Sequence, residues 1–66
     1  MEMRFRVEGM TCGHCEAAVR EAVLNVDPAA HVAIDRANGS VVITSDAAAE
    51  TFRQAITDQG YAASLA

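Results

Sequence analysis

The 66-residue sequence has no lysine and no tryptophan, one proline, two cysteines, and five arginines against nine acidic residues, for a formal charge of −4. Binding nucleic acid requires a clustered basic surface, which so few cationic residues do not supply. No apolar run is long enough to cross a bilayer, so membrane insertion is not expected. We therefore expect a soluble, cytoplasmic protein whose partners are neither nucleic acid nor lipid.

The short chain also limits what the protein can do. It predicts a single domain over residues 1–66, and a domain of this size buries only about 60% of the surface that its unfolded chain exposes. Such a domain has no room for an enclosed active site, so we do not expect an enzyme. Cysteines in the cytoplasm are normally reduced, so two of them are more typical of metal binding or redox chemistry than of a structural disulfide.

Both cysteines lie in the run Gly9-Met10-Thr11-Cys12-Gly13-His14-Cys15, where a strand-like pattern gives way to a helix-like one. Residues three apart are neighbours on a helical turn, so this spacing can bring two sulfur atoms to one point. The positive end of a helix stabilises a thiolate in the first turn, which lowers the pKa of a cysteine there. The run therefore predicts a dithiolate site in which the pKa of Cys15 is lowered more than that of Cys12.

The number and softness of these ligands indicate which metal they would bind. A closed zinc site needs four protein ligands, whereas this chain has two cysteines and one histidine beside them. Thiolates select soft ions such as Cu(I). We therefore expect Cys12 and Cys15 to bind Cu(I), with Ag(I) as its mimic and other soft ions as alternatives.

The hydrophobic pattern predicts six secondary-structure elements. Apolar residues alternate with polar ones over 2–7, which is typical of a strand with one buried face. They recur at helical spacing over 13–25, where Glu16 and Arg20 form an i,i+4 pair and Asp27-Pro28 ends the helix. The apolar residues of these two segments are Met3, Phe5 and Val7, then Cys15, Ala18, Val19, Ala22, Val23 and Val26.

The second half of the chain has the pattern of a hairpin followed by a helix and a strand. Alternating residues flank the turn signal Asn38-Gly39. Ser45-Asp46 offers a capping oxygen for a second helix, which Gly60 ends in left-handed geometry, and residues 61–65 form a last strand. We expect Ala48, Phe52, Ala55 and Ile56 to form the buried stripe of this helix. The order βαββαβ predicts an α+β, ferredoxin-like sandwich with two helices on one face of a four-stranded antiparallel sheet.

The motif Gly-Met-Thr-Cys-x-x-Cys at the end of a first strand, in a βαββαβ chain of this length, resembles the heavy-metal-associated domain. The resemblance covers essentially the whole chain. It implies that Cys12 and Cys15 hold Cu(I) between them. It also implies a carrier that delivers copper to a copper-transporting P-type ATPase or to the metal-binding domain of one.

Four other residues near the motif are candidates for a supporting role. Met10 has a soft thioether, but the resemblance implies that it packs beneath the loop. Thr11 is expected to bind backbone groups of the loop. His14 is expected to be exposed and not to bind the metal; completing the coordination, especially across a metal-linked homodimer, is the alternative. By the resemblance, Tyr61 lies on a loop that approaches the metal, where bacterial chaperones often have tyrosine.

Two questions stay open at this level. The initial methionine and Tyr61 favour a free-standing bacterial chaperone over a domain excised from a P-type ATPase, although the chain lacks the lysine-rich docking surface of eukaryotic chaperones. In addition, Cys-Gly-His-Cys is the tetrad of disulfide isomerases, so a small thiol-disulfide oxidoreductase is an alternative. The absence of tryptophan before the motif and the position of Pro28 argue against it.

Overall fold

The alternating and helical patterns fold into four strands and two helices in the order βαββαβ. A computed structural model describes residues 1–11 and 13–66. The elements are β1 (Glu2–Glu8), α1 (Gly13–Val26), β2 (His31–Asp35), β3 (Ser40–Thr44), α2 (Ala49–Asp58) and β4 (Ala62–Leu65). The predicted order is confirmed, with element bounds that differ by one residue at Glu8, Val26 and Ala62.

The strands form one antiparallel sheet in the order β2-β3-β1-β4. In its register Phe5 lies opposite Val41 on one side and Leu65 on the other, so β1 is paired along both edges. The two helices pack against each other, α1 toward β2 and α2 toward β4. This is the predicted ferredoxin-like α+β fold.

The core lies between the sheet and the two helices. Alternation over β1 buries Phe5 and Val7 completely or nearly so, while Arg4 and Arg6 between them stay exposed. Every second side chain of β1 faces the helices and is removed from water. This burial stabilises the packing of the sheet against the helices. The buried cluster consists of Phe5, Val7, Met10, Val19, Val23, Val41, Ile43, Phe52 and Ile56.

Three connections meet at one end of the sheet because the strands are antiparallel. The end of β1 pairs with the start of β3 through Arg6 and Ser40, and with the start of β4 through Glu8 and Ala62. The backbone N–H of Val7 donates to the carbonyl of Gly39, which ties the hairpin turn to β1 at 2.8 Å. Residues 9–11, turn 36–39 and connection 59–61 are therefore neighbours.

The predicted cap of α2 is wrong. Its N-cap residue is Ala48, which makes no side-chain capping bond, and Ala48 is exposed instead of contributing to the buried stripe. The hydroxyl of Ser45 accepts a bond from the N–H of Ala47 and donates to the carboxylate of Asp27 at 2.5 Å. The Ser45 hydroxyl thus bonds to Asp27, 18 residues away in the sequence, instead of capping α2 as the local pattern predicts.

The other helix signals agree with the structure. Phe52 and Ile56 are fully buried and Ala55 is half-buried. Gly60 follows the C-cap residue of α2 with a φ of +97°, the predicted left-handed conformation. The predicted ion pair on α1 forms, with 3.9 Å between the Oε2 atom of Glu16 and the Nη2 atom of Arg20. Within residues 1–11 and 13–66, neither helix has the length and apolar character that spanning a bilayer requires.

We predict that Ser45→Ala lowers the free energy of unfolding by about 1–2 kcal/mol near pH 6, because it removes a part-buried hydroxyl that bonds on both sides. The Ser45 hydroxyl, followed by the N–H of Ala29, lowers the pKa of Asp27. A carboxyl whose pKa is lower in the folded state stabilises the fold above its unfolded pKa of about 3.9, and the stabilisation is lost as the pH falls through the folded value.

The deficit of Ser45→Ala should therefore shrink below about pH 4. Urea unfolding of both proteins across this pH range measures it. Ser64→Ala, at an exposed position of β4, is the matched control and should change stability by less than about 0.5 kcal/mol. An equal deficit at pH 3 and pH 6 would contradict the role given to Asp27.

Candidate metal site

The cysteine motif occupies the connection between the central strand β1 and helix α1. Gly9 leaves the strand with a φ of +96°, which turns the chain away from the sheet. Thr11 is exposed, and Gly13, His14 and Cys15 form the start of α1. Cys12, the other predicted ligand, lies outside the described residues. The expectation that Cys15 belongs to the first helical turn is confirmed.

Met10 anchors this loop in the core. Its side chain is 7% exposed and belongs to the buried cluster, whereas Gly9 and Thr11 on either side are exposed. An unbranched thioether fills irregular gaps between larger apolar groups. The burial agrees with the packing role expected of Met10, which places its sulfur among apolar side chains.

Cys15 lies at the boundary between the core and the solvent. It is half-buried and packs against the core cluster. The hydroxyl oxygen of Thr11 lies 3.9 Å from its sulfur atom, within hydrogen-bonding distance for sulfur. A hydroxyl that donates to a thiolate stabilises the charged form. The structure places the Thr11 hydroxyl beside the Cys15 sulfur, and its expected bonding to the loop backbone stays a prediction.

The two histidines lie at opposite ends of the sheet. His14 is exposed in the first turn of α1. His31 begins β2 and lies opposite Thr44, which pairs with the start of β1, so it is far from the loop. Within residues 1–11 and 13–66, no three His, Cys, Asp or Glu side chains are grouped so that they could hold a metal ion.

Tyr61 reaches the loop from the connection between α2 and β4. Its ring is half-buried against the core cluster. A Cβ built on Gly9 would stand 3.3 Å from the Cδ1 atom of this ring, which is tighter than ordinary contact. The ring therefore covers the residue at which the chain leaves β1. The positive φ favours glycine there, and a Cβ would require the ring to shift by a few tenths of an ångström.

One residue near the loop was not expected from the sequence. Arg36 begins the turn between β2 and β3, and its Nη1 atom lies 3.7 Å from where a Cβ on Gly13 would stand. The guanidinium group therefore borders the start of α1 between the two cysteine positions. A signal was present: antiparallel pairing places turn 36–39 beside loop 9–12, and Arg36 is the charged residue of that turn.

The arrangement brings together groups that suit a soft cation. A thiol lies at a helix N-terminus, where backbone N–H groups and the helix dipole favour negative charge. The Thr11 hydroxyl lies beside this thiol, and the Arg36 guanidinium group lies close to Gly13, two residues before it. Thr11, Gly13 and His14 are exposed, so an ion held there would be accessible to an incoming ligand.

Comparison with known proteins shows the family that the chain matches. Residues 4–62 match the family model of the heavy-metal-associated domain. The chain is 41% identical over 60 residues to the copper chaperone CopZ of Staphylococcus aureus, which covers 86% of this chain and 88% of the relative.

Two solved structures are similar over nearly the whole chain. One is described as a gold binding protein, with a TM-score of 0.91, 30% identity, and coverage of 97% of this chain and 98% of that one. The other is the copper chaperone Atx1 from Synechocystis PCC6803 in its Cu2 form, with a TM-score of 0.88, 34% identity, and coverage of 94% and 98%.

Two glycine substitutions separate the contact of Tyr61 from backbone strain. Gly60→Ala introduces a Cβ with nothing within 4 Å at a φ of +97°, so it should cost only the left-handed penalty of about 1–2 kcal/mol. Gly9 has nearly the same φ, but a Cβ at this position also presses on the Tyr61 ring. We therefore predict that Gly9→Ala lowers the free energy of unfolding, measured with urea, by more than Gly60→Ala does.

Gly9→Ala should also change the fluorescence of the folded protein, in which Tyr61 is the single tyrosine and tryptophan is absent. Gly60→Ala serves as the matched control and should leave the emission closer to that of the parent protein. Equal losses of stability together with unchanged emission would show that the ring does not rest on Gly9.

Proposed function

Because the chain belongs to the heavy-metal-associated domain family, we propose that it is a Cu(I)-binding metallochaperone of the cytoplasm and not an enzyme. The observation that carries the proposal is the position of Cys15, a soft donor in the first turn of α1 that follows the exposed residues Gly13 and His14. A copper chaperone relative at 41% identity supports the same assignment.

The proposed ligands are Cys12 and Cys15. Two thiolates satisfy a soft monovalent ion, whereas zinc in a structural site takes four protein ligands. A similar protein is described as gold-binding, which supports the same soft class of ion. Ag(I) is accordingly expected to replace Cu(I).

Transfer is proposed to proceed by ligand exchange with a partner that presents its own pair of cysteines, such as a copper-transporting P-type ATPase or its metal-binding domain. A partner thiolate joins the Cu(I) ion, giving three sulfur ligands, and one donor cysteine then leaves. The ion passes between similar ligands, so the exchange needs no general acid, base or reductant. The exposed loop supports this mechanism because the incoming thiolate requires access.

His14 is proposed to stay outside the coordination sphere of the metal ion. It is exposed on α1, while Cys15 next to it is half-buried against the core. Adjacent helical residues point about 100° apart, so the two side chains leave the helix in different directions. Binding by His14 across a metal-linked homodimer remains the alternative that a titration of the variant tests.

Thiol-disulfide exchange is the second candidate, favoured by the Cys-Gly-His-Cys sequence and by a cysteine at a helix N-terminus. The position of Pro28 argues against thiol-disulfide exchange. Pro28 follows α1 next to Asp27, whose carboxylate bonds to Ser45 after β3. The proline thus lies at the end of the sheet opposite the cysteine loop, and no oxidoreductase-type proline loop faces Cys15 within the described residues.

We predict that Cys12→Ser and Cys15→Ser each weaken Cu(I) binding by more than about a hundredfold, since loss of a ligand costs more than loss of an outer-shell partner. An anaerobic competition titration with a chromogenic Cu(I) chelator, repeated with Zn(II), measures this. His14→Ala should bind Cu(I) nearly as the parent does. His31→Ala, an exposed histidine at the opposite end, is its matched control.

Tight Cu(I) binding by either serine variant would refute the ligand assignment. Weaker binding by His14→Ala than by His31→Ala, together with a copper-dependent dimer in analytical ultracentrifugation, would establish His14 as a ligand.

We also predict negligible turnover in the reduction of insulin disulfides by dithiothreitol. Thiolate character alone gives some reactivity with disulfides, so single-turnover mixed disulfide formation is expected, but catalytic cycling is not. A thioredoxin run in parallel provides the positive control. Turnover comparable to that control, lost in Cys12→Ser, would favour the oxidoreductase instead.

A further inference from the structure

The side chain of Arg36 lies beside the start of α1, close to the cysteine motif, although Arg36 belongs to the turn between β2 and β3. Its guanidinium Nη1 atom lies 3.7 Å from the position of a Cβ on Gly13, the residue that begins α1. Gly13 stands between the two proposed ligands in the sequence. A cationic group therefore lies close to Gly13, at the start of α1.

The turn that carries Arg36 is held by its own hydrogen bonds. The carboxylate of Asp35 accepts the side-chain amide of Asn38 at 2.7 Å and the backbone N–H of Asn38 at 3.4 Å. The N–H of Gly39 donates to the carbonyl of Arg36 at 3.2 Å, and the carbonyl of Gly39 accepts from Val7. The position of Arg36 beside the loop thus follows from an ordered turn that is tied to β1.

The other arginines lie elsewhere. Arg20 pairs with Glu16 on α1, and Arg53 pairs with Glu50 on α2. Arg4 and Arg6 are exposed on β1, in alternation with the core residues of that strand. Since the sequence has no lysine, Arg36 is the cationic side chain that the described residues place against the start of α1.

The proposed cargo creates a need for positive charge at this point. Two thiolates and one monovalent ion carry a net charge of −1, and the three-thiolate arrangement during transfer carries −2. Glu8 at the end of β1 and Glu16 in the first turn of α1 add negative charge on either side of the loop. A cation within a few ångströms offsets this most effectively because Coulomb energy falls with distance.

We propose that Arg36 is the charge-compensating residue of the copper-thiolate site. It acts through the electrostatic potential at the sulfur atoms and not as a ligand, and it stabilises the three-thiolate arrangement more than the two-thiolate one. The copper role rests on the proposed function. The effect on the potential at the thiolates does not, because it exists in the copper-free protein.

The first test uses the reduced, copper-free protein and two disulfide reagents. In both reactions a cysteine thiolate attacks the reagent, a new S–S bond forms, and the reagent releases its own thiolate. The dianionic reagent 5,5′-dithiobis(2-nitrobenzoate) is attracted by a local positive charge, whereas 4,4′-dithiodipyridine is neutral. The ratio of the two initial rates therefore reports the potential at the thiolates and cancels changes in their exposure.

Arg36→Gln should lower this ratio by about threefold to fivefold at low salt, a range expected for one exposed charge interaction. The difference should shrink as added salt screens it. Arg36→Lys should restore most of the ratio because it restores the charge. Arg4→Gln removes an exposed arginine from β1 and should leave the ratio within error of the parent, so it controls for net charge.

The second test is the Cu(I) competition titration on the same variants. Arg36→Gln should bind Cu(I) about threefold to fivefold more weakly at low salt, and Arg4→Gln should not. An unchanged reagent ratio in Arg36→Gln overturns this inference even if the parent binds copper tightly. A lowered ratio in a parent protein that fails to bind copper would instead reject the proposed function and leave the charge effect established.

Discussion

The burial of the Met10 side chain is the constraint on which the metal loop depends. The chain leaves the central strand at Gly9 and reaches α1 at Gly13, and between them Met10 alone among the described residues is buried. Transfer of one such side chain into the core contributes about 1.5–3 kcal/mol. The buried Met10 side chain attaches the loop to the core, while Gly9 and Thr11 on either side of it stay exposed.

The order of the strands explains why so short a chain can surround this loop with other groups. Because β1 is central and antiparallel to both neighbours, its exit lies beside the β2–β3 turn and beside the connection that precedes β4. Tyr61 and Arg36 reach the loop through these two connections. At the opposite end, Ser45 and Asp27 join the end of β3 to the end of α1 by a hydrogen bond. The end of the sheet that carries this hydrogen bond thus lies opposite the end that carries the cysteine motif.

The sequence predicted the features that depend on local periodicity and failed where distant contacts decide. Alternation identified Phe5 and Val7 as core residues, and Gly60 signalled the end of α2 because only left-handed geometry continues the chain there. Ser45 was misassigned as a helix cap because its hydroxyl is claimed by Asp27, which no local pattern reveals. Arg36 was missed for the same reason. The geometry of Cys12 lies outside the described residues, so the ligand pair itself stays a prediction.

Local charge, more than the charge of the whole protein, sets the potential at the cysteine loop. Strand β1 spans seven residues, about 20 Å at 3.3 Å per residue, and this separates the loop from Asp27 at the other end. Salt screens interactions over about 8 Å at physiological ionic strength, so distant carboxylates contribute little. The guanidinium group of Arg36 lies beside Gly13, and the carboxylates of Glu8 and Glu16 flank the loop in the sequence. The charge effect proposed for Arg36 is therefore set against these nearby carboxylates and not against the formal charge of the whole protein.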